Sequence, residues 1–151
     1  MQIILNSLQD THNFAASLAS QLKTGDVISL KGDLGAGKTE LARTIIHNLA
    51  GKNTHVASPT FNIVQTYDTP GFTIWHFDLY RLKYSEELVE IGLEDALNCG
   101  VSLIEWPDIA KDFLPKEILT INLFCGKNDE RVVMLEGTGK WAEFIKKVSN
   151  G

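Results

Sequence analysis

The sequence predicts an α/β fold in which a mixed, partly antiparallel central sheet is flanked by helices. Three observations support this prediction: apolar runs of strand length recur along the chain, helical patterns separate several of them, and a turn joins two neighbouring runs. A chain of 151 residues suits one compact domain, so we expect residues 1–151 to form a single domain.

The first third of the chain indicates a helix, a strand and a second helix. The first helix is predicted over about residues 11–22, after a possible cap at Asp10, from apolar residues at four-residue spacing: Phe14, Leu18 and Leu22. Residues 27–31 are mostly apolar or β-branched, as in a buried strand. Residues 38–49 have a helical pattern, and we expect Gly51 to end that helix.

The middle of the chain predicts a β-hairpin and then a helix. Residues 61–67 and 72–78 are strand-like, and the Asp-Thr-Pro-Gly segment between them favours a turn. Ser85 and the two glutamates after it are typical of a helix start, because a hydroxyl cap and early carboxylates suit the positive end of the helix dipole. We expect that helix to end near Gly100.

Three more strands and a last helix are predicted in the remaining third. The strands cover residues 101–105, 118–124 and 132–136, and the polar segment 126–130 joins the last two. Apolar residues at i, i+3, i+4 and i+7 predict one buried face on a final helix: Trp141, Phe144, Ile145 and Val148.

Composition and charge narrow the classes of function. A net charge of −5 argues against a large nucleic-acid surface, so any contact with RNA is expected to be local or indirect. Cys99 and Cys125 lie far apart in the sequence, which indicates neither a disulfide framework nor a zinc site. The N-terminus lacks the pattern of a secretory signal, and no apolar run approaches the roughly 18–20 residues of a membrane span. We therefore expect a cytoplasmic protein.

The strongest local signal is a phosphate-binding loop that matches G-x-x-x-x-G-K-S/T: Gly32, Asp33, Leu34, Gly35, Ala36, Gly37, Lys38 and Thr39. It follows a predicted buried strand and precedes a predicted helix, as the mechanism requires. Glycines let several backbone N–H groups converge on phosphates, and the helix directs its positive end at them. Lys38 is expected to bridge the β- and γ-phosphates, and the Thr39 hydroxyl to bind Mg²⁺. The fold class is therefore a P-loop NTPase domain.

Hydrolysis or transfer also needs a carboxylate for the metal and a group that positions the nucleophile. Glu105 ends the apolar run 101–104, a place where P-loop proteins carry a metal-facing acid, although a solvated strand-end acid would look the same. Asp78 lies in the segment His-Phe-Asp-Leu-Tyr-Arg, where strand alternation puts His76, Asp78 and Tyr80 on one side. A half-exposed hairpin strand would alternate in the same way.

A fourth segment, Ser-Pro-Thr-Phe at residues 58–61, lies between the loop's helix and the hairpin. Thr60 is a candidate sensor of the γ-phosphate, as in nucleotide switches. Taken alone, the segment favours an ordinary turn.

Together the segments GDLGAGKT, SPTF, HFDLYR and IEW, in this order and at these separations, closely resemble the TsaE family of bacterial ATPases over about residues 25–115. The resemblance implies an ATPase component of the machinery that makes threonylcarbamoyladenosine on tRNA. It implies TsaB and TsaD as partner proteins, with ATP binding supporting docking to them and hydrolysis resetting the complex. The acidic charge fits a protein that reaches tRNA through these partners.

Carried over position by position, the resemblance implies ATP and Mg²⁺ as ligands and the following roles. Lys38 and Thr39 match the phosphate and magnesium positions, Thr60 the switch-like threonine, and Asp78 and Glu105 the two acids. Trp106 matches the tryptophan beside the second acid. At Glu40 the family commonly has a second hydroxyl residue, so only the Glu40 backbone N–H is expected to serve the α-phosphate. We expect Glu105 to help hold magnesium and Asp78 to orient or deprotonate water, or the reverse.

Two other activities stay open at this stage. A GTPase is disfavoured because the chain has no N-K-x-D run to recognise guanine. A small-molecule kinase shares the same phosphate chemistry, but three arginines in the whole chain are few for a second phosphate site. A docking module that binds ATP with negligible hydrolysis is the other alternative.

Overall fold

The computed structural model describes residues 1–33, 35–57, 62–128 and 130–150. Leu34, Thr60 and the rest of the predicted Ser-Pro-Thr-Phe segment therefore lie outside the described residues. Within the described ranges, seven strands form one sheet in the order β1-β7-β6-β2-β5-β4-β3. No helix in these ranges is long and apolar enough to span a membrane.

The strands are β1 (Gln2–Leu5), β2 (Val27–Lys31), β3 (Val64–Asp68), β4 (Thr73–Asp78), β5 (Gly100–Glu105), β6 (Leu119–Cys125) and β7 (Arg131–Gly137). The α-helices are α1 (Leu8–Ala19), α2 (Lys38–Ala50), α3 (Glu87–Glu90), α4 (Leu93–Cys99) and α5 (Lys140–Asn150), and a 3-10 helix covers Pro107–Phe113. β2 runs parallel to β5 and β6, and β4 runs parallel to β5. The β3–β4, β6–β7 and β1–β7 pairs are antiparallel, which confirms the mixed sheet and the hairpin.

Two hydrophobic clusters cover the two faces of the sheet. Neighbouring residues of β2 alternate between them, since Val27 packs with α3, α4 and the 3-10 helix while Ile28 packs with α1, α2 and α5. The same alternation separates Leu103 from Ile104 in β5. Because both faces are covered, β2 and β5 are buried along almost their whole length and their carboxyl ends are held rigidly.

The N-terminus of α1 differs from the prediction. The helix begins at Leu8, and its cap is Ser7, whose hydroxyl accepts a hydrogen bond from the Asp10 backbone N–H at 3.1 Å. The Asp10 carboxylate accepts instead from the Asn6 backbone N–H at 2.9 Å. Ser7 is therefore the N-cap residue, and the Asp10 side chain bonds back to the backbone just before it, as in a capping box.

The single helix predicted from Ser85 to Gly100 is wrong. Residue Glu86 holds the N-cap position, and α3 and α4 are separated by Gly92, which has a φ of +82°. A Cβ at Gly92 would lie 3.0 Å from the Trp75 ring, so the close approach of a distant strand explains the glycine there. Strand β1 and the 3-10 helix were not predicted.

Candidate active site

The phosphate loop is shaped by glycines in conformations that other residues rarely adopt. It connects the end of β2 to the start of α2, and Gly32, Gly35 and Gly37 have φ values of +146°, +84° and +102°. A Cβ on Gly32 would lie 2.6 Å from the carbonyl oxygen of Leu123 in β6. The loop therefore lies directly against the sheet, and the lack of side chains at these positions is what opens a cradle for phosphate.

Lys38 turns back over this loop. Its ammonium donates hydrogen bonds to the carbonyl oxygens of Gly32 at 2.6 Å and Asp33 at 2.9 Å, and lies 4.2 Å from the centre of the Trp106 ring. Burial lowers the pKa of Lys38, and the nearby carboxylates, Glu105 first among them, oppose that shift. The Lys38 ammonium is thus held at the loop by two carbonyl oxygens and by the face of the Trp106 ring. Phosphate oxygens would compete for the same ammonium.

Glu105 stands at the centre of the site. It is the last residue of β5 and only 2% exposed, so it is not a solvated strand-end acid. The Thr39 hydroxyl donates to the two Glu105 carboxylate oxygens at 2.9 and 3.1 Å, and His76 Nε2 lies 2.6 Å from Glu105 Oε2. The fold therefore joins the predicted magnesium threonine to the predicted strand-end acid across 66 positions of sequence.

Asp78 lies beside Glu105. The two residues are register partners at the ends of the parallel strands β4 and β5. Asp78 Oδ1 accepts a hydrogen bond from the Tyr80 backbone N–H at 3.1 Å. Burial raises the pKa of Asp78, the Glu105 charge raises it further, and the Tyr80 hydrogen bond, His76 and Lys38 act in the opposite direction. A carboxyl group whose pKa is raised is a better proton acceptor than an ordinary aspartate.

His76 was expected on the same face as Asp78 but was given no role in the site, and the structure places it against Glu105. It is fully buried, and no hydrogen-bond partner is found for its Nδ1 within the described part of the chain. Its alternation with Asp78 was the available signal, and β4 does place both side chains toward Glu105. That alternation did not distinguish a buried partner of Glu105 from a half-exposed strand residue.

Tyr80 does not continue the polar face of the strand, because β4 ends at Asp78. Its side chain is 59% exposed, and its ring lies 4.9 Å from that of Trp106. Trp106 itself has a φ of +56°, a conformation that is uncommon for a residue with a bulky side chain. Strand alternation therefore does not extend to Tyr80, whose ring contacts Trp106 instead.

The other predicted nucleotide contacts lie along the loop and at the start of α2. Ala36 is buried, Asp33 is exposed, and the Glu40 carboxylate is paired with Arg43 at 2.6 Å. This is an i, i+3 ion pair of the kind common on helix surfaces. The Glu40 carboxylate is therefore bound to Arg43 and is not a phosphate contact.

The donor set fits Mg²⁺ bound together with a nucleotide. Among the described residues no cluster of three or more His, Cys, Asp or Glu side chains would enclose a metal ion alone. Mg²⁺ at phosphate sites usually takes one or two carboxylates and completes its shell with water and phosphate oxygens. The Thr39 hydroxyl and the Glu105 carboxylate, in contact beside the phosphate loop, are donors of this kind.

Comparison with known proteins identifies one family over most of the chain. The family model described as "Threonylcarbamoyl adenosine biosynthesis protein TsaE" matches residues 5–133. The Rickettsia bellii protein named tRNA threonylcarbamoyladenosine biosynthesis protein TsaE is 50% identical over 131 residues, which cover 87% of this chain and 91% of that protein. The Bacillus subtilis protein of the same name is 34% identical over 138 residues, covering 91% of this chain and 85% of that protein.

A solved structure shares the whole architecture. The crystal structure of Bacillus subtilis YdiB superposes with a TM-score of 0.78 at 27% identity, covering 99% of this chain and 94% of that one. This likeness confirms the predicted α/β class with a mixed sheet flanked by helices. Since the family model spans most of the sequence, the resemblance in the four segments is confirmed, and the chain belongs to the TsaE family.

Proposed function

We propose that this chain is an ATPase that binds Mg-ATP and hydrolyses it in support of threonylcarbamoyladenosine modification of tRNA, together with TsaB and TsaD. The observation that carries the proposal is the contact between the Thr39 hydroxyl and Glu105, beside Lys38 and Asp78. The relatives are named for this biosynthesis, and the partnership rests on the family resemblance. Residues 1–151 act as one domain in this proposal.

The phosphate end of ATP is held by the loop and by Lys38. The loop's backbone N–H groups and the start of α2 supply fixed positive dipoles that favour an anion. Lys38 exchanges its contacts with the Gly32 and Asp33 carbonyls for β- and γ-phosphate oxygens. Because the ammonium already lies at the loop, little reorganisation accompanies this exchange.

Thr39 and Glu105 hold Mg²⁺, with Asp78 as a further candidate ligand. When bound, Mg²⁺ would supply positive charge that offsets the negative charge developing on the phosphate oxygens. His76 holds the Glu105 carboxylate through the 2.6 Å contact, so that the acid is already oriented toward Thr39.

Asp78 orients the attacking water and accepts its proton. Its raised pKa and its position beside Glu105 support this role. If Glu105→Ala lowers turnover and leaves magnesium-dependent ATP binding intact, the roles of the two acids are exchanged.

The proposal places the protein in the cytoplasm, where it reaches tRNA indirectly through its partners. The net charge of −5 supports an indirect route, because direct binding to the phosphate backbone depends on clustered Lys and Arg.

The test is phosphate release from ATP by the protein alone and with TsaB and TsaD, with Mg²⁺ present and then chelated. Lys38→Ala is the test variant, and Lys52→Ala, which changes an exposed lysine outside the loop, is its matched control. We expect slow release alone, stimulation by the pair, and loss in Lys38→Ala but not in Lys52→Ala. Equal release by wild type and Lys38→Ala contradicts the proposal. Tight binding without release, even with both partners, would identify a docking module, and release only with an added metabolite would identify a kinase.

A further inference from the structure

We propose that Ile63 is a positioning residue for Asp78, an inference that rests on the proposed ATPase function. Ile63 has a φ of +67°, and the Val64 backbone N–H donates to the Asn62 carbonyl oxygen at 2.7 Å. A hydrogen bond that spans two residues around a positive φ is that of a classic γ-turn, which is rare and strained. The Ile63 carbonyl oxygen accepts a hydrogen bond from the Asp78 backbone N–H, also at 2.7 Å. The strained turn is therefore bonded directly to the backbone of the proposed general base.

The backbone strain at Ile63 is uncommon for its residue type. A positive φ crowds the Cβ against the backbone, and a β-branched residue in that region is a genuine outlier. Among the described residues, the other non-glycine positions with positive φ are Trp106 and Asn128. Trp106 directly follows Glu105, so the two bulky outliers each adjoin one of the two acids. Such strain persists only where surrounding contacts hold it, and it clusters at functional sites.

Backbone hydrogen bonds hold Asp78 from both neighbouring strands. On the β3 side its N–H donates to Ile63, and on the β5 side the Leu79 N–H donates to the Glu105 carbonyl oxygen at 3.1 Å. The Tyr80 N–H then donates to the Asp78 carboxylate at 3.1 Å. Three consecutive N–H groups thus fix the backbone and the carboxylate of Asp78 relative to Glu105. Because a displacement of about 1 Å at a catalytic group costs on the order of 100-fold in rate, this fixation bears on turnover.

The side chain of Ile63 explains why the turn carries an isoleucine. It is half-buried and packs on the hydrophobic cluster that contains Phe77 and Leu79, the two neighbours of Asp78 in the chain. Glycine would adopt the positive φ with little strain but would lose this packing. Burial of the side chain therefore holds the strained turn in place beside the end of β4.

The first experiment breaks the γ-turn and leaves Ile63 unchanged. Val64→Pro deletes the N–H that closes the turn, and Val64→Ala, which keeps this N–H, is the matched control. Proline is tolerated at the first residue of an edge strand, and Val64 begins β3 at the edge of the sheet. We expect Val64→Pro to lower the kcat of phosphate release about 10–100-fold relative to Val64→Ala. The Kd for Mg-ATP should differ by less than about twofold, because Asp78 acts on the attacking water.

The second experiment asks whether the loss of kcat passes through Asp78. In an Asp78→Asn background, Val64→Pro should lower kcat by less than about threefold more, because residues that act as a unit have non-additive effects. Damage unrelated to Asp78 would instead multiply with the Asp78→Asn loss. Such multiplication, a kcat of Val64→Pro equal to that of Val64→Ala, or an equal loss of ATP affinity overturns the inference.

Thermal unfolding followed by circular dichroism tests the strain itself. Ile63→Gly is compared with Ile118→Gly, since Ile118 is half-buried on the same cluster and does not have a positive φ. Glycine relieves strain only at residue 63, so Ile63→Gly should melt about 2–8 °C above Ile118→Gly. An equal or lower melting temperature, or a Val64→Pro variant that does not fold, overturns the inference. Absence of phosphate release by wild type, or wild-type turnover in Asp78→Asn, would instead overturn the ATPase function or the role of Asp78.

Discussion

The hydrogen bond between His76 and Glu105 is expected to support both the stability and the activity of this protein. His76 Nε2 lies 2.6 Å from Glu105 Oε2, and the two residues are 0% and 2% exposed. His76→Leu keeps a similar volume but leaves a buried carboxylate with the Thr39 hydroxyl and without its histidine partner. His76→Gln is the matched control, because its side-chain amide N–H₂ is able to donate to the same oxygen.

The size of the stability effect follows from the burial of the pair. A hydrogen bond to a charged group contributes about 1.5–3 kcal/mol. For a chain of this length each kcal/mol corresponds to about 2–4 °C in melting temperature, so His76→Leu should melt roughly 3–12 °C below wild type. Thermal unfolding followed by circular dichroism gives this value, and His76→Gln should recover part of the loss.

The activity effect follows from the orientation of Glu105. Removing a residue that orients a metal ligand typically costs about 10–100-fold in metal affinity or activity. We expect that loss in the kcat of phosphate release by His76→Leu at 20 °C, where the variant is folded, with partial rescue in His76→Gln. A His76→Leu variant that melts with wild type and keeps its kcat would refute the reasoning. A loss of stability without a change in kcat would leave His76 a purely structural residue.

Three further predictions test the phosphate loop, the proposed general base Asp78 and the partly buried Tyr67. Gly32→Ala should lose ATP binding, and its free energy of unfolding in urea should fall by about 1–3 kcal/mol, because its Cβ would lie 2.6 Å from the Leu123 carbonyl oxygen. Gly71→Ala is the control: no atom lies within 4 Å of its Cβ, so its free energy of unfolding should stay within about 0.5 kcal/mol of wild type. Asp78→Asn should lower kcat about 100-fold or more and leave the Kd for ATP nearly unchanged, whereas unchanged turnover would remove Asp78 from the reaction. Burial raises the pKa of the Tyr67 hydroxyl above its ordinary value of about 10, so the unfolded chain loses this proton at lower pH than the folded one. The free energy of unfolding of the wild type should therefore fall as the pH rises through about 10. Urea unfolding at about pH 9 and 11 should show a smaller fall for Tyr67→Phe, and equal falls in the two proteins would contradict the argument.

Several features of the fold were predictable because they depend on neighbouring residues. The strand Val27–Lys31 and the helix from Lys38 have the predicted starts, since a buried parallel strand and an amphipathic helix each have a continuous local pattern. The position of Glu105 at the end of a strand was also apparent, which is why it was expected near the metal position.

Other features depend on contacts between distant parts of the chain. Strand β1 covers four residues, too few for a clear pattern, and it forms only because β7, about 130 positions later, offers a free edge. The break at Gly92 depends on the approach of Trp75 from β4. Neither the N-terminal segment nor the helical segment contains the residue that decides its conformation.

The same distinction holds for the site. Residues 32–39 are enough to indicate phosphate binding, because a loop of contiguous residues builds that cradle from its own backbone. The burial of His76 and its contact with Glu105 required the folded chain. Each of these joins residues from separate strands and helices, and which of them become neighbours is decided by packing on the two faces of the sheet.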